Sequence, residues 1–230
     1  MDSLTQVVLG ASVGEAVLGR KTGSRAALWG GICGTLPDLD VFIPMGSAVA
    51  DFTYHRSFSH SLFVLAALTP LIVWLILKIH PQTHQLKWRW AVLVYAVFAT
   101  HVLLDSLTVY GTQIFWPLTE YPVSIGSIFI IDPAYTLSLL IGLLVALILR
   151  HGPVGQRANL VGLSLSSAYL IWGAWATVAS GTCRGSCVGG TRHRIPEIAG
   201  PTNAVQFDTV ADCRGERSLL SRGLLFVVGR

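Results

Sequence analysis

Three uncharged stretches constrain this chain more than any other feature: 21 residues between Arg56 and Lys78, 17 between Asp132 and Arg150, and 26 from Ala158 to Cys183. A helix needs about 20 residues to cross a hydrocarbon core of about 30 Å, so these read as transmembrane helices. The run from Trp90 to about Tyr110 has similar length but contains Asp105. Its place in the series makes it a fourth span. Two shorter runs, Ser3–Gly14 and Ala26–Pro37, hold 12 uncharged residues each, and within the first Gly10 and Gly14 match the GxxxG pattern of close helix contact.

The expected class is all-α: a polytopic membrane protein with four long transmembrane helices at about 61–79, 90–110, 133–149 and 160–179. Two short N-terminal apolar helices, about 3–19 and 26–36, either span or re-enter. Met1-Asp2-Ser3 lacks the basic start of a secretory signal, so the N-terminal segment is expected to stay attached. At 52% hydrophobic and 12% charged, the composition excludes a disordered or nucleic-acid-coating protein and makes the lipid bilayer the expected partner.

Lys and Arg orient the spans. The first (Arg20, Lys21, Arg25), third (Lys78, Lys87, Arg89) and fifth (Arg150, Arg157) connections contain eight basic residues, the second contains only Arg56, and the fourth none. The odd connections are therefore expected in the cytoplasm. Asp38, Asp40, His55, His60, His101, Asp105 and Asp132 all fall toward the opposite face, as they would around one shared site open to the periplasm or exterior.

His101-Val102-Leu103-Leu104-Asp105 puts an imidazole and a carboxylate four residues apart on one helical face, able to bind one metal ion or to lock two helices together. Ionisable groups inside a span are costly and favour the functional reading. His55-Arg56-Ser57-Phe58-Ser59-His60-Ser61 carries two His that converge if a turn runs into the third helix, or else caps that helix at the lipid headgroups. Pro37-Asp38-Leu39-Asp40 ends the second element, and an extended segment there would direct both carboxylates one way.

The expected ligands are His55, His60, His101 and Asp105, with Asp38 and Asp40 as catalytic carboxylates and Glu15 and Asp132 as supporting acids. Glu15 reads equally as a structural acid. Mixed His/Asp ligation suits a divalent ion, Zn or Mn, that activates water for hydrolysis. The rival expectations are a His/Asp ion or proton path and a purely structural membrane protein. The chain has no glycine loop with Lys and no GxSxG elbow.

Met1 to Gln6, the Gly10 to Gly19 run with Glu15, Leu36 to Asp40, His55 to Ser61, His101 to Asp105, Tyr110-Gly111-Thr112 and Ile131-Asp132-Pro133 occur together in order. As a set this resembles the bacterial inner-membrane family of LexA-regulated, predicted metal-dependent hydrolases over about residues 1–180. The resemblance implies a multi-pass inner-membrane hydrolase of the SOS response, with Asp38, Asp40, His55, His60, His101 and Asp105 as its candidate site and LexA as transcriptional regulator. A lipid or envelope ester would suit a site at the membrane face.

Residues 1–180 hold nine basic and eight acidic groups, whereas residues 181–230 hold seven Arg, four acids and Cys183, Cys187 and Cys213. This second segment departs from the family pattern and reads as a disordered or frameshifted tail. Codons for Arg192 through Arg214 can be chosen so that a frame starting one base later yields the Pro-Phe-Asn and Trp-Arg segments common in the family's tails.

Overall fold

The computed structural model describes residues 2–42, 57–119, 121–149 and 153–187. The chain divides into a unit of residues 1–189 and a unit of residues 190–230, the second of which lies outside the described residues. Of the tail expected from residue 181 onward, only the backbone of 181–187 is described, as the end of a helix.

Among the described residues of the first unit the regular structure is helical apart from an isolated bridge between Thr112 and Val123. The described helices are α1 (Ser3–Thr22), α2 (Ser24–Thr35), α3 (Leu62–Ile79), α4 (Lys87–Ser106), α5 (Pro133–Ile148) and α6 (Pro153–Cys187). Short 3-10 turns occupy Pro37–Phe42, Phe58–His60 and Pro81–Leu86.

Local chemistry sets most of the boundaries. Asp2 caps α1, accepting from the Thr5 N–H at 3.1 Å and its hydroxyl at 2.6 Å, while Arg20 and Lys21 sit at the negative end of the helix dipole. Gly23, at φ 62°, turns the chain straight into α2. Ser61 caps α3. Helix α4 stops at Ser106 rather than near Tyr110 because the chain folds back on it: the amides of Ile125 and Ser127 bond to the Ser106 and Leu107 carbonyls.

The α1–α2 hairpin is built on small residues. A Cβ on Gly10 would overlap the Gly30 carbonyl, and a Cβ on Gly30 would overlap the Gly10 carbonyl. The two backbones therefore touch directly, the contact that the GxxxG pattern signals. Helix α4 packs against α1, α2 and α3, and α5 packs against α6 and α1. Trp90, Leu93, Val94, Val97, Phe98, Val102 and Leu104 bury α4 at the centre, so His101 and Asp105 are delivered into the interior.

The outer faces are apolar as well. Leu71 and Trp74 on α3, Leu137 and Ile141 on α5, and Leu165 and Ile171 on α6 are all more than half exposed. Such continuous apolar surface marks contact with lipid or another protein. Of the four long spans expected, Leu62–Ile79 and Val154–Thr177 are long and apolar enough to cross a membrane, and α5 is apolar but only 16 residues long. Helices α1 and α4 have 20 residues each, but α1 carries Glu15, Arg20 and Lys21, and α4 carries Lys87, Arg89 and Asp105.

Candidate metal centre

Four residues from three elements converge on one point. Asp38 comes from the 3-10 turn after α2, His60 from the turn before α3, and His101 and Asp105 from successive turns of α4. One donor atom from each lies within 4.8 Å of all the others. His60 Nε2 is 3.2 Å from His101 Nε2, 3.3 Å from Asp38 Oδ1 and 3.3 Å from Asp105 Oδ2. His101 Nε2 is 3.4 Å from Asp38 Oδ1 and 3.7 Å from Asp105 Oδ2. A tetrahedron with the usual zinc arms of about 2.0–2.1 Å has edges of about 3.4 Å, so the donor spacing fits one ion.

The surrounding hydrogen bonds fix which atoms face inward. Gly34 offers only its carbonyl, 2.8 Å from His101 Nδ1, so that nitrogen carries the proton and donates. The carbonyl is available because it belongs to the last turn of α2. Ser59 donates from Oγ to Asp40 Oδ2 at 2.5 Å and accepts from His60 Nδ1 at 2.9 Å. Both Nε2 atoms therefore present lone pairs to each other and to two carboxylate oxygens. Four acceptors so placed repel unless a cation, a metal ion or a proton, lies among them.

Gln6 on α1 donates from Nε2 to Asp105 Oδ1 at 3.1 Å, turning Oδ2 toward the imidazoles. Each inner donor except Asp38 thus has a partner that orients it, the arrangement typical of metal-ligating His and carboxylate groups. His60 and Asp105 are 0% exposed and His101 is 1%, whereas the Asp38 side chain is 20% exposed and forms the open side.

Electrostatics follow from this packing. Burial alone would push the Asp38 carboxyl up, but hydrogen bonds and charge from His101 and His60 outweigh it and hold it well below the usual carboxylate range. For His60, burial pulls the pKa down, while hydrogen bonds and charge from Asp105 and Asp38 pull it up by more, so the net shift is upward.

The other expected site residues fall elsewhere. Pro37–Phe42 is a 3-10 turn rather than an extended segment. At three residues per turn, neighbours two apart diverge, so Asp38 faces the cluster while Asp40 stands behind Ser59, 4.0 Å from His60 Nδ1. His55 lies outside the described residues. Glu15 sits nine residues past Gln6 on α1, about 13 Å along the axis, with its carboxylate folded over Gly19.

Asp132 caps α5, accepting from the Ala134 and Tyr135 amides at 3.0 and 3.2 Å and from the Tyr169 hydroxyl at 2.8 Å. Asp132→Ala is expected to lower stability by about 2 kcal/mol through the lost cap and lost hydrogen bond. Thermal unfolding in detergent reads this, with metal content unchanged. A loss of metal in this variant would instead tie Asp132 to the cluster.

Gln6, Gly34 and Ser59 complete the site without having been singled out from the sequence. Gln6 and Ser59 lie inside motifs that were conspicuous for their charged or imidazole members, and being uncharged they left no mark on the charge pattern. A glycine carbonyl leaves none at all.

A family model described as YdjM inner membrane protein matches residues 1–180. "Uncharacterized protein YfhP" from Bacillus subtilis (strain 168) is 30% identical over 141 residues, which is 58% of this chain and 42% of that protein. The matched region thus spans less than half of that relative's length. No solved structure matches.

Proposed function

The chain belongs to the YdjM inner membrane protein family, and we propose that it is a membrane-embedded, metal-dependent hydrolase centred on Asp38, His60, His101 and Asp105. The observation that carries this reading is the pair of Nε2 atoms, 3.2 Å apart and flanked by two carboxylates, with each ring's Nδ1 engaged from behind by the Gly34 carbonyl or the Ser59 hydroxyl. A divalent ion bound there, Zn or Mn by its mixed nitrogen and oxygen donors, would supply Lewis acidity and a more acidic water.

The protein's own residues divide the work. His60, His101 and Asp105 hold the ion from the buried side. Gln6, the Gly34 carbonyl and the Ser59–Asp40 pair keep those three aimed. Asp38 is the carboxylate that reaches solvent, and it accepts the proton from water on the open side.

In the proposed topology α3, α4, α5 and α6 are the four long spans, and α1 and α2 form a short N-terminal pair. The basic connections lie in the cytoplasm and the site opens on the other face. The apolar outer faces of α3, α5 and α6 support lipid contact. A site at that depth favours an amphiphilic substrate, such as a lipid or envelope ester.

One feature favours a second reading, a structural metal lock: all four donors come from the protein, as in closed structural sites. Asp38→Asn separates the two. In detergent micelles loaded with Zn or Mn and screened against carboxylic and phosphoric esters, the hydrolase reading expects turnover to fall by about 100-fold, with metal content retained. No metal-dependent turnover in the unaltered protein would leave the structural lock, whereas full turnover in Asp38→Asn would remove Asp38 as the base.

A further inference from the structure

Beyond the metal centre, on the distal half of α3, a groove of about 430 Å³ runs between α3 and α4 and is lined by Thr69, Pro70, Trp74, Leu77, Lys87 and Trp88 among others. Its origin is local. The Thr69 hydroxyl bonds back to the Leu65 carbonyl at 2.8 Å, Pro70 inside α3 has no backbone N–H to give, and the facing residue on α4 is the small Ala91. Two helices that would otherwise close on each other leave a slot there. Trp74 and Trp88 are 58% and 77% exposed and form its walls.

The rim is cationic. Lys87 lines the groove, Lys78 holds its ammonium 5.1 Å from the centre of the Trp74 ring, and Arg89 lies in the same first turn of α4 as Lys87. No Asp or Glu occurs from Phe52 through Leu104, so this part of the chain brings no acid to meet those cations. We propose that the groove binds an anionic phospholipid of the adjacent leaflet, its acyl chain between Trp74 and Trp88 and its phosphate against Lys78 and Lys87.

A lipid fits better than a second copy of the chain. A partner helix would have to bring an acid to the lysines, and the only acids on α1 to α6 are the half-buried Glu15 and the fully buried Asp105. A phospholipid brings phosphate and hydrocarbon together, which matches a charged rim above apolar walls. The site is independent of the metal reading and shares no residue with it.

The two tryptophans report occupancy. Protein reconstituted in phosphatidylcholine vesicles would be titrated with brominated phosphatidylglycerol or brominated phosphatidylcholine, and the groove signal taken as the quenching lost in the Trp74→Phe/Trp88→Phe variant. Phosphatidylglycerol is expected to reach half-maximal quenching at a mole fraction lower by about fivefold for each lysine engaged. The Lys78→Gln/Lys87→Gln pair should make the two curves coincide, while Lys78→Arg/Lys87→Arg keeps them apart.

Ala91→Phe, which fills the slot, leaves both lysines and adds no tryptophan signal, should abolish the preference, so the test does not depend on the Gln pair folding. Coincident curves in the unaltered protein, or a preference that survives in the Gln pair or in Ala91→Phe, would overturn the proposal. So would tryptophans shielded from both lipids in a cross-linked dimer, which would make a second copy the occupant.

Discussion

His60→Ala, His101→Ala and Asp105→Ala are each expected to reduce bound metal from about one ion per chain to below about a tenth of that. Elemental mass spectrometry on detergent-purified protein reads the result. The expectation rests on the donors being few and oriented: each variant removes a corner of a four-donor cluster whose His60 and His101 edges are 3.2–3.7 Å long. Removing His60 or Asp105 also leaves buried neighbours facing a group that no longer balances them, a change that commonly costs about 3–5 kcal/mol for a buried ionic pair. Full metal content in any of the three variants, or no metal in the well-folded unaltered protein, would dismantle the metal centre.

The same cluster predicts opposite pH slopes for metal-free and metal-loaded protein. His60 has a raised pKa when folded. Its contribution to the metal-free fold is therefore fully present below about 6.5, the unfolded value, and is lost as pH rises through the folded value. Metal must displace that proton, so the loaded protein binds tighter and gains stability over the same rise. Asp38, held low, contributes above its unfolded value and loses its effect only as pH falls through the folded one. Thermal unfolding from about pH 6 to 8, with and without chelator, should show the two slopes crossing in sign. Parallel slopes would mean that metal and proton do not share the site.

Much of this was legible in the residues, and what was missed has physical causes. Uncharged runs mark helices because hydrocarbon tolerates nothing else, and they find α3, α5 and α6 directly. The i, i+4 spacing of His101 and Asp105 reads as one helical face, and both donors do turn into one cluster. Asp38 and Asp40 were harder, because the roles depend on whether Pro37 begins an extended strand or a 3-10 turn, and Pro is compatible with either. Gln6 is silent for another reason. An uncharged amide in an apolar helix gains its role only from the tertiary contact with Asp105, 99 residues away.

Gly30→Val is expected to be the most damaging substitution away from the donors, because it strikes the hairpin that carries Gln6 and Gly34. The first added carbon would overlap the Gly10 carbonyl. Neither side of that contact is a side chain that can swing away, so α1 and α2 must separate, at a cost of about 3 kcal/mol or more. Along the same seam Gly34 lies against the Gln6 backbone. Separation therefore pulls the Gln6 amide from Asp105 and the Gly34 carbonyl from His101, and loss of such supporting bonds weakens metal binding by about 10- to 100-fold. Gly31→Ala is the matched control: its Cβ would meet Val7 Cγ1 at 3.4 Å, an ordinary contact, and the change favours the helix by about 1 kcal/mol. Thermal unfolding and metal titration of the two variants in detergent should diverge sharply, with Gly31→Ala at or above the unaltered protein in both. If Gly30→Val matches it, the backbone contact is not what holds the hairpin, and the supporting bonds to Asp105 and His101 must be fixed by the packing of α4 alone.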